Sequence, residues 1–255
     1  MSSESKYKVV FVRHGQSEWN LKNIFTGWHD IPLSEQGHQE ATLAGQILKQ
    51  KGYSFDLAIT SVLQRSIQTF NHIAEELQIH HIPIIKSWRL NERHYGSLQG
   101  LNKSETAALH GEAQVKIWRR SYDVRPPEMS IDHPDYPGKD SRYKHIPPSS
   151  LPKGECLKDT VERVLPFWTD TICKAIIEGQ KVIVSAHGNS LRAIVKYLDK
   201  MTDEQIMELD IPTGVPLVYE LDENLLPVKH YYLISQEELE KKMQEVKNQG
   251  KAQQN

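Results

Sequence analysis

Residues 8–20 read K-V-V-F-V-R-H-G-Q-S-E-W-N. Lys8 to Val12 is a run of β-branched and aromatic side chains, the pattern of a buried strand, and it breaks abruptly into Arg13, His14 and Gly15. A cation, a nucleophile and a hinge thus follow a strand end. In α/β proteins ligands gather at the carboxyl ends of strands, and Gly15 lets a ligand approach the backbone closely. A neutral imidazole beside a guanidinium suits attack on phosphorus, because the arginine holds phosphate oxygens by charge-assisted hydrogen bonds while a ring nitrogen takes the phosphoryl group. R-H-G alone decides nothing, since a histidine after a strand is more often a hydrogen-bonded or surface residue. The rest of the chain has to raise it.

Working outward, a loop with a turn at Thr26-Gly27 leads to Ser34, which is expected to cap a helix reaching about Lys51 with Ala41, Ala44, Ile47 and Leu48 on its apolar face. D-L-A-I-T at 56–60 is a second strand, and Ser61 with Gln64 has the spacing of a capping box opening a helix to about Leu77. Isoleucines 82, 84 and 85 open a third strand, followed by N-E-R-H-Y-G at 91–96. Asn102 with Glu105 starts a short helix, and 114–122 continues helical. From Arg125 to Pro152 seven prolines punctuate the chain, and with too few apolar residues for a core the stretch reads as an insertion.

Apolar residues from Leu157 to Ile176 recur at helical spacing, so about 156–178 is expected to be a long helix with a bend at Pro166. K-V-I-V-S-A at 181–186 is a fourth strand, Ser190 is expected to cap the next helix, Thr202 with Gln205 boxes a short one, and 215–221 is a fifth strand. Ser235 and Glu238 carry a helix-start signature in a C-terminal tail, 235–255, whose last residues are expected to be mobile. The alternation predicts an α/β fold in three layers, αβα, with a mainly parallel central sheet covered by helices on both faces. The 255 residues are expected to form one domain, with 102–155 inserted over the active site.

The formal net charge of −2 gives no global commitment to nucleic acid or an anionic membrane, so anion binding must come from local arginines. Cys156 and Cys173 form no zinc-like spacing, the N-terminus lacks an apolar signal core, and no apolar run approaches the roughly 20 residues of a membrane span. Mean hydropathy of −0.57 agrees. A soluble, cytoplasmic protein without nucleic-acid or membrane partners is expected.

The strongest internal signal is that two strands end alike, V-R-H-G at 12–15 and S-A-H-G-N at 185–189. If the strands are neighbours, His14 and His187 flank one pocket. A third pair, His110-Gly111, follows no strand and is given no role. Arg65, in the first turn of the helix after D-L-A-I-T, adds a guanidinium where that helix's positive end can also face an anion.

At this point the chain resembles the histidine phosphatase superfamily, and within it the cofactor-dependent phosphoglycerate mutases. The matching motifs are V-R-H-G-Q-S-E-W-N, F-T-G-W-H-D-I-P-L-S-E-Q-G, D-L-A-I-T-S-V-L-Q-R-S-I-Q-T, W-R-L-N-E-R-H-Y-G-S-L-Q-G, W-R-R-S-Y, S-A-H-G-N-S-L-R-A and I-P-T-G-V-P, in family order from about residue 8 to 222. The resemblance implies that His14 is the nucleophile, that Arg13, Arg65, His187 and the Gly188-Asn189 turn hold the transferring phosphoryl group, and that Glu92 is the general acid/base. It further implies that Ser17, Asn20, Thr26 and Gly27 line the phosphate side, and that Arg93, Tyr95, Lys103, Arg119 and Arg120 bind the carboxylate and distal phosphate of a phosphoglycerate. The implied cofactor is 2,3-bisphosphoglycerate as priming phosphoryl donor, with no metal, and the implied assembly is a homodimer or homotetramer.

Mutase, bisphosphoglycerate synthase and bisphosphatase activities share one site in this family. Ser17 and Thr26-Gly27 resemble the glycolytic mutase, so synthase and phosphatase are expected as minor activities. W-R-R-S-Y and the 102–155 insertion argue against a broad phosphomonoesterase, which needs no clamp for a second phosphate. The presence of His14, Arg13, Arg65, Glu92 and His187 together argues against a silent binding protein.

Overall fold

The computed structural model describes residues 4–248. Six strands form one sheet: β1 (Tyr7–Arg13), β2 (Leu57–Thr60), β3 (Ile84–Lys86), β4 (Val182–Ala186), β5 (Pro216–Leu221) and β6 (Pro227–Tyr232), in the order β3-β2-β4-β1-β5-β6. β1 through β4 are parallel to one another, and β5 and β6 add an antiparallel edge. Side chains alternate across β1. Val9 and Phe11 pack with Trp168 and Tyr219 on one face, while Val10 and Val12 pack with Phe70 and Leu48 on the other, which gives the expected three layers with a core on each side.

Helices α2 (Glu35–Gln50) and α3 (Gln64–Leu77) cover one face. On the other lie α6 (Leu157–Phe167), α7 (Lys174–Ile177) and α8 (Gly188–Leu198). Short helices α1 (Glu18–Leu21), α4 (Lys103–His110), α5 (Glu112–Arg120) and α9 (Asp203–Glu208) sit in the connections, and α10 (Gln236–Asn248) follows the last strand. Pro166 has no N–H for the helical ladder, and immediately after it Trp168–Cys173 widens into a π-helical turn. The helix of the C-terminal tail runs through Asn248, the first of the residues 248–255 expected to be mobile, and 249–255 fall outside the described residues.

Three caps differ from the sequence reading: at α4, Asn102 accepts from the N–H groups of Ser104 and Glu105, but the capping box expected of Asn102 with Glu105 is not closed. Leu63 is the N-cap of α3 without a side-chain bond, so Ser61 and Gln64 form no capping box there. The Ser61 hydroxyl is drawn instead to His187 Nε2 at 2.7 Å, a tertiary partner that outcompetes a local one. Ser190 does not cap α8. His187 takes that place, and the Ser190 hydroxyl reaches back from the first turn to accept from the His187 N–H at 3.1 Å. β6 was not foreseen; it is a half-buried edge strand that starts on a proline and lacks an apolar alternation.

The turn after β1 is held by backbone packing. A Cβ on Gly37 would overlap the carbonyl oxygen of Gln16, and one on Gly15 would overlap the carbonyl oxygen of Gly37. Gly37→Ala is therefore expected to cost about 1–3 kcal/mol by forced backbone movement, and thermal unfolding should show it as a midpoint several degrees lower, at roughly 2–4 °C per kcal/mol. An unchanged midpoint would mean that this turn and α2 are not tightly apposed.

Candidate active site

Parallel pairing sets Arg13 opposite Ala186, so the two His-Gly turns leave the sheet side by side. The His14 and His187 rings meet edge to face with centroids 4.9 Å apart. The His14 N–H donates to Ala186 O at 3.0 Å, the Gly15 N–H to Thr69 Oγ1 at 3.1 Å, and the Gln16 N–H to Glu40 at 2.8 Å. The nucleophile candidate thus stands on a turn anchored to β4, α3 and α2.

The hydrogen bonds also fix its tautomer. His14 Nδ1 lies 2.7 Å from Gly15 O, and a carbonyl only accepts, so the hydrogen is on Nδ1. Nε2 then carries the free lone pair, and Arg65 Nε donates towards it at 3.3 Å. Arg65 is itself locked by Nη1 to His29 O and Nη2 to Gly27 O, both at 2.8 Å. Burial pushes Arg65 down to about 10, which leaves it charged at neutral pH. Burial, then Arg65 and Arg13, hold His14 well below the usual histidine range. The result is a neutral, oriented nucleophile facing a cation.

His187 is fully buried behind His14. The Ser61 hydroxyl lies 2.7 Å from both His187 Nε2 and the Ser66 hydroxyl, and Ser66 Oγ is also 3.0 Å from Leu63 O. Burial and the charge of Arg65 lower His187 as well. Burial likewise lowers the enclosed His94 to about 3. In the unfolded chain these three imidazoles titrate near 6.5, so below that pH the unfolded state binds more protons than the folded one. The contribution of these histidines should be complete above about pH 7 and be lost as pH drops through the window beneath 6.5, by up to about 1.4 kcal/mol per pH unit for each. Thermal midpoints measured from about pH 8 to 5 check this; a flat profile would mean the rings are not buried.

Glu92 faces the histidines from the loop after β3. Its Oε1 accepts from Arg93 N at 2.7 Å, Asn189 Nδ2 at 2.8 Å and Asn189 N at 3.2 Å. Its carbonyl is gripped by Trp28 Nε1 at 2.6 Å and Arg163 Nη2 at 2.9 Å, and Arg163 pairs with buried Glu155 at 2.6 Å. Trp28, Arg163 and Glu155 are supports that sequence reasoning missed, because each acts through a backbone carbonyl distant in sequence.

One cavity collects most of the expected residues: Arg13, His14, Asn20, Thr26, Gly27, Arg65, Glu92, Tyr95, Lys103, Arg119, Arg120, Gly188 and Asn189. Three lie elsewhere. His187 sits beneath His14, Ser17 is buried as the N-cap that accepts from Asn20 N, and Arg93 donates to Trp118 O and Arg119 O while lying over the Tyr95 ring. Arg192 and Asp210 also line the cavity and were not singled out from sequence. Arg120 pairs with Asp210 at 2.8 Å. Burial and the charge of Arg119 push Lys103 down to about 7. Burial would raise the Tyr95 phenol, but Arg93 and Arg119 bring it below its ordinary value. The Nε atoms of Arg13 and Arg192 are buried without a partner among the described residues, donors of the kind a phosphate or carboxylate satisfies. His110, as expected, is apart from all this, exposed at the end of α4.

The geometry can now be set beside known proteins. The model of the histidine phosphatase superfamily (branch 1) matches residues 9–135 and 128–232. A 2,3-bisphosphoglycerate-dependent phosphoglycerate mutase of Borreliella burgdorferi is 60% identical over 247 residues, 96% of this chain and 99% of that protein. One of the same description from Borrelia garinii is 58% identical over 245 residues, covering 96% of this chain and 99% of that protein. Among solved structures, a mycobacterial glucosyl-3-phosphoglycerate phosphatase with VO3 superposes with a TM-score of 0.66 at 20% identity, over 89% of this chain and 97% of that one. An alpha-ribazole phosphatase from Shigella flexneri gives 0.63 at 17% identity, over 87% and 94%. These structures share the fold.

Proposed function

The chain belongs to the histidine phosphatase superfamily, and we infer from this, with the near full-length likeness to the mutases, that it interconverts 3-phosphoglycerate and 2-phosphoglycerate. The observation that carries the reading is His14, neutral and hydrogen-bonded at Nδ1, aiming Nε2 past Arg65 into an arginine-lined cavity with Glu92 on its wall. Bound 2,3-bisphosphoglycerate supplies the phosphoryl group that primes His14. Phosphorylated Nε2 then donates to the free hydroxyl of a monophosphoglycerate while Glu92 takes the hydroxyl proton. Arg13, Arg65, His187 and the Gly188-Asn189 turn stabilise the equatorial oxygens. Return of the other phosphoryl group to Nε2 completes a ping-pong cycle that assigns no step to a metal.

In this reading Lys103, Tyr95, Arg119 and Arg120, which line the cavity, hold the carboxylate and second phosphate, with Arg93 bracing that wall, and Ser17 and Asn20 shape the phosphate side together with Thr26 and Gly27. The reading treats the chain as one domain, with 102–155 contributing that wall and Val246 of α10 reaching the cavity rim. It places the protein in the cytoplasm, where a glycolytic and gluconeogenic step meets its substrates. Ile84 and Ile85, 40% and 37% exposed on the edge strand β3, support a homodimer or homotetramer with a second copy covering that edge, which size measurement in solution tests. An enolase-coupled assay of purified protein with 3-phosphoglycerate and a trace of 2,3-bisphosphoglycerate should show rapid conversion. Release of phosphate from the bisphosphate faster than interconversion would overturn the reading in favour of a phosphatase.

A further inference from the structure

The turn that presents His187 carries a hydrogen-bond chain that the roles above do not use. Arg192 is buried one helical turn beyond Asn189 on α8, donating from Nη1 to Asn189 Oδ1 at 2.9 Å and from Nη2 to the carbonyl of Ile206. The other end of the same amide, Nδ2, donates to Glu92 Oε1 at 2.8 Å. Two backbone N–H groups, of Arg93 and Asn189, converge on that same oxygen. The second oxygen, Oε2, faces the Gly188 turn beside the Arg13 guanidinium: a Cβ built on Gly188 would lie 3.7 Å from Oε2 and 3.4 Å from Arg13 Nε. Arg65 of α3, Lys103 of α4 and Tyr95 of the same loop also bear on the Glu92 charge. A guanidinium only donates, so Arg192 dictates which end of the Asn189 amide faces which neighbour. Burial and the nearby Arg120 and Arg93 push it down to about 10, so it stays charged at neutral pH.

We propose that Arg192 is a positioning residue for the acid/base, holding Asn189 so that Glu92 exchanges its proton through Oε2 alone. The proposal rests on Glu92 being that acid/base. As the substrate hydroxyl oxygen attacks phosphorus, the new O–P bond forms, the Nε2–P bond breaks with its electron pair returning to the His14 ring, and the hydroxyl proton passes to Oε2. In the reverse direction Oε2–H protonates the departing oxygen. A protonated carboxyl can carry its hydrogen on either oxygen, and one on Oε1 would meet the Asn189 N–H and the two backbone donors. Without Arg192 the amide is free to turn Oδ1 towards Glu92 and trap the hydrogen on Oε1, away from the substrate.

The test combines spectroscopy with kinetics on the full chain. With 15N-asparagine labelling, and the side-chain pair assigned by its loss in Asn189→Ala, the amide resonances of the unliganded protein should move in Arg192→Met and return towards the parent in Arg192→Lys. Unchanged resonances in Arg192→Met overturn the proposal whether or not the protein is a mutase. In the mutase assay Arg192→Met should lower kcat by about 10- to 100-fold, within the range of a disturbed acid/base, with KM nearly unchanged. That loss should vanish in a Glu92→Gln background, which has no proton to direct. A raised KM that persists in that background would mean that Arg192 grips the substrate directly, and would also overturn it. Should the parent lack mutase activity while the resonances behave as expected, the functional reading falls and the assignment of Arg192 to Asn189 stands.

Discussion

Replacing His14 with alanine is expected to abolish interconversion, by on the order of 10⁴-fold or more, the scale on which losing a covalent nucleophile is felt. The reason lies in how little could substitute for it. The lone pair on Nε2 is the one that Arg65 Nε points at, and Nδ1 of His14 is committed to Gly15 O. His187, the neighbouring ring, has its Nε2 bound to Ser61 and is fully buried. The fold should survive, because β1 and its turn are anchored through backbone groups to Ala186, Thr69 and Glu40. His110→Ala serves as the control, since His110 is exposed at the end of α4 and meets Trp118 edge to face; it should leave activity intact. Near-parent activity in a folded His14→Ala protein would remove the mechanism altogether.

Glu92→Gln should cost about 10²- to 10⁴-fold in kcat with little change in KM, the usual range for removing a general acid/base. Glutamine keeps the volume and still accepts at one oxygen from Arg93 N and Asn189, so the loop held by Trp28 and Arg163 has no reason to move. What it loses is the exchangeable proton. The pH–rate profile should change shape accordingly, because one titrating participant has gone. A profile that matched the parent's would show that Glu92 carries no proton in the rate-limiting step.

Much of this was legible in the sequence because it is local. β-branched runs gave the strands, and R-H-G and H-G-N after two of them gave the imidazoles, with N-E-R-H-Y supplying the carboxylate. That β1 and β4 are neighbours could only be posed as a condition, since their pairing spans about two-thirds of the chain. Non-local partners also explain the misread caps: S-x-x-Q at 61–64 fits a capping box, yet the Ser61 hydroxyl is claimed by a histidine 126 positions away. Arg192 was not singled out, because its meaning depends on Asn189 one turn back and on Glu92 from another loop. The buried Arg163–Glu155 pair was hidden for the same reason, as it steadies Glu92 through main-chain oxygen. β6 escaped because an edge strand needs only one partner and tolerates polar residues on its open side.

The central claim is that His14 accepts the phosphoryl group at Nε2. Mixing the protein with 2,3-bisphosphoglycerate labelled in its phosphoryl groups, quenching without acid, and identifying the phosphohistidine isomer by NMR and peptide mapping tests it most directly. The account predicts a single site, His14, phosphorylated on Nε2 because Nδ1–H is bound to Gly15 O, with no label in His14→Ala. Label on His187, or on Nδ1 of His14, would contradict it.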